Sequence, residues 1–524
     1  MLYVTVLVVV AATILGGASV ATATAATVTA APPPPATALT DIASTTASPR
    51  VRIDSGELIG VTANGVDAFK GIPYATPPVG DLRWRPPQPP PPWHTPRSSE
   101  DYGHSCPQRS PPDRVAPSSQ GASTSEDCLT LNVWTTLHSQ RLLPVMVWIH
   151  GGGNNAGTSA QTYYDGSAFA RDGVVLVSFN YRLGALGFLT HPAIPGANFG
   201  LLDQLAALQW VKRNIEAFGG DANNVTVFGE SAGGTDILLL MTAKKAAGTF
   251  QKAIVESAGW WNYVPDLAEG QKSGAAIATK LGLPGATATA AQLRSVPVDA
   301  LKDIDEQGPV IDHDLLTELP QAIIAKGRAR DVPLIIGTNS NEGSLIAADT
   351  PAAEVVPELS SSDIDALKSL YGAANTASAV SQPASAGDSP VAPLLFRDAH
   401  FSMPARWIAA REAAGAPAYL YRFDYVASFL RNRRTGANHG SEIPFVFATW
   451  PDFRLTDADR HMTRTLHGCW VAFAKFGKPV CPDAPQWPAF SVGSDIRMQF
   501  GEPVTPRPVS ERPILNFLQS RLEK

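Results

Sequence analysis

The sequence predicts an α/β protein built on a large, mostly parallel central sheet covered by helices. Apolar strand-like runs at 174–180 and 225–228 flank a run in which Leu201, Leu205, Leu208, Val211 and Ile215 recur at helical spacing. A second helix-forming run, 237–244, follows the second strand. Strand, helix, strand, helix is the grammar of parallel sheets buried on both faces. Size agrees, because 524 residues, 44% of them hydrophobic, suffice for one large core.

Taken in order, the chain opens apolar. Residues 1–20 are small and hydrophobic, no charged side chain precedes Asp41, and Ala21-Thr-Ala and Ala23-Thr-Ala offer Ala-x-Ala cleavage sites. Residues 1–25 read as a secretory signal peptide and 26–49 as a disordered Ala/Thr/Pro-rich linker, leaving 50–524 as a single domain. No Lys or Arg precedes the apolar run, so an uncleaved anchor is the alternative, since about 20 apolar residues span a bilayer. Export with cleavage is the reading adopted. It makes the protein secreted, without stable membrane association.

Alternating Val and Ile with Gly turns over 51–65 read as an antiparallel hairpin, and a proline-dense strip runs to Pro92. Residues 131–134 and 145–149 are strand-like, the second ending in His150-Gly-Gly-Gly. The helix around Leu208 stops at Ala217-Phe-Gly-Gly-Asp, a glycine C-terminal signal. Further strands are expected at 252–256, 333–338 and 419–424. Ala/Leu-rich helical insertions fill 265–330 and 360–411, a helix spans 457–476, and a terminal helix begins at Arg512. The net charge of −6 with no long basic run points away from nucleic acid and anionic membranes. Four cysteines allow three pairings, and the local one, Cys106 with Cys128 and Cys469 with Cys481, needs the least chain closure. It fits an oxidising, extracytoplasmic compartment.

The chemistry concentrates where the strand 225–228 meets Gly229-Glu-Ser-Ala-Gly. A Gly-x-Ser-x-Gly arises by chance in glycine-rich loops. A strand before it and a helix after it make Ser231 the apex of a sharp turn, exposed above a helix N-terminus. A serine hydroxyl needs a base, and the base an orienting acid. Of the histidines after Ser231, His461 and His467 fall in a helix and His400 just before one. His439, in Asn438-His-Gly-Ser-Glu, lies in a small polar loop and is the favoured base. Glu342 follows the strand 333–336 at the same sheet edge and is the best-placed acid, with Asp312 and Asp398 as fallbacks. Gly152 and Gly153 after His150, with the amide of Ala232, supply donors for an oxyanion. No Gly-Lys-Ser/Thr follows the glycines, which argues against a phosphate loop.

These motifs together resemble the type-B carboxylesterases, the family of para-nitrobenzyl esterases, animal carboxylesterases, cholinesterases and some fungal lipases. The resemblance rests on Phe69-Lys-Gly-Ile-Pro-Tyr-Ala, Leu82-Arg-Trp, Ser125-Glu-Asp-Cys-Leu-Thr-Leu-Asn, His150-Gly-Gly-Gly and Asn180-Tyr-Arg-Leu-Gly. It continues through the stretch 218–234, Pro333-Leu-Ile-Ile-Gly-Thr-Asn-Ser-Asn-Glu-Gly, Asn438-His-Gly-Ser-Glu and Phe473-Ala-Lys-Phe-Gly-Lys-Pro, in the family's order. It implies an α/β-hydrolase fold, a Ser231–Glu342–His439 triad, and Gly152, Gly153 and Ala232 as oxyanion donors. It also implies a Cys106–Cys128 disulfide, an Arg83–Glu126 ion pair, a small-molecule ester as substrate, and neither metal nor organic cofactor. The chain departs from the family where Asn154-Asn155 replace the usual aromatic after the glycines and Trp260-Trp261 follow Glu256-Ser-Ala-Gly. With Glu230, these residues are expected to shape the substrate pocket. The loop between Cys106 and Cys128 has no aromatic to bind a quaternary ammonium, so choline esters are not expected. An interfacial lipase is the first alternative, and a catalytically silent interaction module the second.

Overall fold

The computed structural model describes residues 48–109, 123–137, 139–259, 264–304, 307–377 and 391–523. The expected signal peptide, nearly all of the linker, and Trp260 and Trp261 lie outside the described residues.

Continuous runs of Val, Ile and aromatic residues, without polar alternation, are what burial on both faces of a sheet requires. The strands are β1 (Arg50–Ile53), β2 (Gly56–Ile59), β3 (Val61–Ala63), β4 (Val66–Pro73), β5 (Arg97–Ser98), β6 (Thr130–Thr135) and β7 (Leu143–Ile149). They continue as β8 (Val175–Phe179), β9 (Gly220–Glu230), β10 (Lys252–Glu256), β11 (Leu334–Asn339), β12 (Ala418–Phe423), β13 (Ile496–Phe500) and β14 (Thr505–Pro508). All but β1, β2 and β5 join one sheet in the order β14-β13-β12-β11-β10-β9-β7-β8-β6-β4-β3. From β8 to β13 every neighbouring pair is parallel, while the marginal pairs β8–β6, β6–β4, β4–β3 and β13–β14 are antiparallel. This is the expected mostly parallel sheet.

Successive residues in each central strand feed opposite cores. Val145, Val147 and Ile149 of β7 join Val225 and Val227 of β9 on one face, beneath Leu201, Leu205, Leu208 and Val211. Met146, Trp148 and Phe228 point to the other face, against Met462, Leu466, Trp470 and Phe473 of the helix Asp457–Phe476. Each such buried side chain contributes roughly 1.5–3 kcal/mol.

The hairpin reading of 51–65 needs correction. β1 and β2 do pair antiparallel, but in a small separate sheet with β5, and β3 begins a second hairpin with β4 in the main sheet. Their alternation has period two in both cases, so pattern alone merges them. The helix Phe199–Asn214 ends through a short 3₁₀ turn at Gly219, whose φ of +78° is the left-handed cap that glycine adopts without strain.

Disulfides join Cys106 to Cys128 and Cys469 to Cys481 across 22 and 12 residues. Arg83 and Glu126 form a bidentate pair at 2.7 and 2.6 Å, and a further Arg83 nitrogen donates to the carbonyls of Arg294 and Val296. Cys106→Ser is expected to lower stability by about 3 kcal/mol, the closure entropy of a loop that size. The midpoint of urea unfolding measures it, and an unchanged midpoint would show the bond to be dispensable. Among the described residues no helix is long and apolar enough to cross a membrane.

Candidate active site

β7 has β8 on one side and β9 on the other, so chain order reverses there, and crevices at such points open at the carboxyl ends of the strands. The pairing of Ile149 with Gly229 makes the His150-Gly-Gly-Gly loop and the serine turn leave adjacent strands at one level. Glu256 of β10 pairs with Glu230 on one side and Gly337 of β11 on the other, so the next two loops leave beside them.

Ser231 sits at φ +57° and ψ −124°, immediately before the helix Ala232–Thr242. That backbone is costly for a residue with a Cβ and persists only where its surroundings enforce it. The flanking glycines are enforced too, because a Cβ on Gly229 would lie 2.6 Å, and one on Gly233 2.1 Å, from the Ile149 carbonyl oxygen. Gly233→Ala is therefore expected to cost about 3 kcal/mol in overpacking. A fall in the thermal midpoint reads this out, and a variant as stable as the parent contradicts it.

Glu342 is fully buried just past β11. One carboxylate oxygen accepts from Ser257 Oγ and from the Asn339 amide, both at 2.6 Å, and the other lies 2.6 Å from His439 Nδ1. The His439 loop is carried to the acid by Asn341, whose amide donates to the Ala437 carbonyl at 2.8 Å and whose side chain donates to Asn438 Oδ1 at 2.9 Å. Phe401, on the single π-turn Asp398–Ser402, sets its edge against the imidazole at 5.5 Å. Of the fallback acids, Asp312 caps the backbone amides of Asp314, Leu315 and Leu316, and Asp398 is held by Arg397 and Tyr371. Neither is bonded to His439.

His439 Nε2 lies 3.1 Å from Oε1 of Glu230, the residue before the serine. That oxygen accepts no aligned hydrogen bond among the described residues, so the contact is ionic when His439 is protonated. In this state the Ser231 hydroxyl makes no hydrogen bond to His439, a pairing that in free enzymes often tightens only with substrate. Burial works against the imidazolium, yet Glu230, Glu342 and Glu442 around it overcome this and raise its pKa. Burial also raises Glu230, tempered by His439. Since a base must be unprotonated, kcat/KM should fall on the acid side as His439 takes up its proton. Glu230→Gln removes one of the charges that hold that proton, so the acid limb is expected to move to lower pH by about one unit or more. A pH–rate profile checks this, and an unmoved or upward-shifted limb contradicts it.

The amides expected to serve as oxyanion donors are unpaired among the described residues. Gly152 and Gly153 have φ of +110° and +65°, and neither amide donates a hydrogen bond among the described residues. The Ala232 amide opens a helix and has no intrahelical acceptor. Asn154 does not form a pocket wall in the way the sequence suggests. Asn154 is 5% exposed and turned inward, and Asn155 bonds to the backbone of Gln307.

Ser257 and Asn339, which orient the acid, escaped the sequence reading. A signal for Ser257 exists: Glu-Ser-Ala-Gly occurs twice, at 230–233 and 256–259, on paired strand ends. The second serine also has a positive φ, +49°, but it is fully buried and serves Glu342. Among the described residues no group of three or more His, Cys, Asp or Glu is arranged to hold a metal ion.

A nucleophile turn, an acid–base pair and free amide donors at one sheet edge are the apparatus of ester hydrolysis. The profile of the carboxylesterase family matches residues 47–512. The chain belongs to the carboxylesterase family. This carboxylesterase is 36% identical over 501 residues to the fumonisin B1 esterase of Sphingopyxis macrogoltabida, covering 90% of this chain and 89% of that protein. It is 37% identical over 460 residues to the para-nitrobenzyl esterase of Bacillus subtilis (strain 168), covering 83% and 91%. A solved structure of a PNB esterase superposes with a TM-score of 0.77 at 33% identity, covering 90% of this carboxylesterase and 100% of the other chain. The fold is thus the α/β-hydrolase fold.

Proposed function

We propose that this carboxylesterase hydrolyses small to medium carboxylic esters through an acyl-enzyme on Ser231. The observation that carries the reading is the strained Ser231 turn beside a His439–Glu342 pair held at 2.6 Å. Ser231 Oγ attacks the ester carbonyl carbon and passes its proton to His439 Nε2, while Glu342 steadies the imidazolium through Nδ1. The carbonyl oxygen gathers negative charge against the amides of Gly152, Gly153 and Ala232. The C–O bond to the alcohol breaks, and the alcohol departs with the proton from His439. Water, deprotonated by the same imidazole, then attacks the acyl carbon and releases the acid and the free serine.

We further propose that the protein is exported, a reading supported by its two disulfides, which persist in oxidising compartments. Exposure to a fluorophosphonate probe tests the reaction class, because only an activated serine is phosphonylated. One label per chain on Ser231 is expected. No label, or label on another residue, would overturn the assignment.

A further inference from the structure

The loop that carries two expected oxyanion donors is rich in glycine. Gly152, Gly153 and Gly157 all have positive φ, which glycine adopts without strain, and they offer no side chain to anchor the turn. Three side-chain amides fasten it. Gln108 brackets Gly157, donating to its carbonyl and accepting from its amide, both at 2.8 Å. Asn155 accepts from the Gln307 amide at 3.1 Å and donates to the Gln307 carbonyl at 3.3 Å.

Asn154 makes the third attachment, and its partner is unusual. With φ at +59°, its side chain turns into the core, where Nδ2 donates to Asp236 Oδ1 at 3.0 Å and Oδ1, at 3.2 Å, shares the Tyr181 hydroxyl proton with the nearer His150 carbonyl at 2.9 Å. The other Asp236 oxygen accepts from Gln204 Nε2. Asp236 is fully buried on the helix Ala232–Thr242, among Ile237, Leu238, Leu239 and Leu240. Burying a carboxyl there is unfavourable unless it is hydrogen-bonded, and burial raises its pKa to about 7 against the lowering effect of the two amides. Packing alone gives no reason for an aspartate at this position. Its place on the nucleophile's own helix does.

We propose that Asn154 and Asp236 are positioning residues that lock the Gly152 and Gly153 turn to the helix carrying Ser231 and Ala232. The three oxyanion donors, which lie on two separate elements, then keep a fixed spacing. This rests on the oxyanion reading above. The bond acts where charge develops on the substrate oxygen, so its loss lowers kcat and leaves KM nearly unchanged.

The test uses a charge placed where the amide stood. The kinetics are read above the pH at which the two carboxyls share a proton, where Asn154→Asp opposes two carboxylates, and aspartate tolerates the left-handed backbone. It is expected to lower kcat for p-nitrophenyl butyrate by about 10²-fold, the order of one lost donor, with KM within about threefold. The inhibition constant of a trifluoromethyl ketone, which forms an oxyanion on Ser231, rises by a similar factor. Combining Asn154→Asp with Asp236→Asn restores every bond, since the swapped amide donates to the swapped carboxylate while Tyr181 and Gln204 keep their acceptors. The double variant is expected to recover to within about threefold of the parent kcat. Asp236→Ala gives the same reading if the like charges unfold the single variant. A folded single variant with parental kcat, or a double variant as slow as the single one, overturns the proposal. A parent that fails to label with fluorophosphonate sinks the esterase mechanism instead, so the two failures are distinguishable.

Discussion

Ser231→Ala is expected to lower the turnover of p-nitrophenyl butyrate by about 10⁴-fold or more. Without Oγ there is no acyl-enzyme, and what remains is the modest acceleration that bound water gains from the oxyanion donors. The fold should survive, because Ser231 is held through its backbone, its amide donating to the Glu256 carbonyl and its carbonyl accepting from the Thr235 amide, both at 2.9 Å. Matching circular dichroism and thermal midpoints would establish that. Residual activity within 100-fold of the parent would place the nucleophile elsewhere.

Glu342→Gln is expected to lower kcat by about 10⁴-fold through the wrong imidazole tautomer. The glutamine oxygen would keep the two bonds from Ser257 and Asn339, which come from donors. Its NH₂ group is then turned on His439 Nδ1, which must accept, so the ring proton moves to Nε2. An Nε2–H cannot take the Ser231 proton, and no carboxylate remains to steady an imidazolium. Steady-state kinetics on an ester series measures the loss, and a fall of less than 10-fold would show that Glu342 is dispensable as the orienting acid.

How much of this could be read beforehand follows from what each residue type signals. The parallel core was legible because Val145, Val147, Val225 and Val227 belong to apolar runs that only a two-faced sheet accommodates. Ser231, Glu342 and His439 were legible as candidates because strand ends and loops place them at one edge. β13 and β14 were missed for physical reasons. Arg497 and Gln499 interrupt the first, and two prolines in Thr505–Pro508 suit only an edge strand. The inward turn of Asn154 is not legible in the sequence, because side-chain direction depends on φ and a left-handed turn reverses it. The contact of Glu230 with the His439 imidazole is not legible in the sequence, because it closes only when the 438–442 loop crosses the sheet edge.

The covalent intermediate is the claim on which the rest depends. p-Nitrophenyl dimethylcarbamate forms a carbamoyl-serine that hydrolyses slowly, so the adduct accumulates without fast mixing. Digestion and mass spectrometry of the treated protein should find one equivalent of p-nitrophenolate released per chain and the carbamoyl group on the peptide holding Ser231. His439→Ala should abolish both. A parent protein that turns over p-nitrophenyl butyrate yet carries no adduct, or carries it on a residue other than Ser231, would contradict the mechanism.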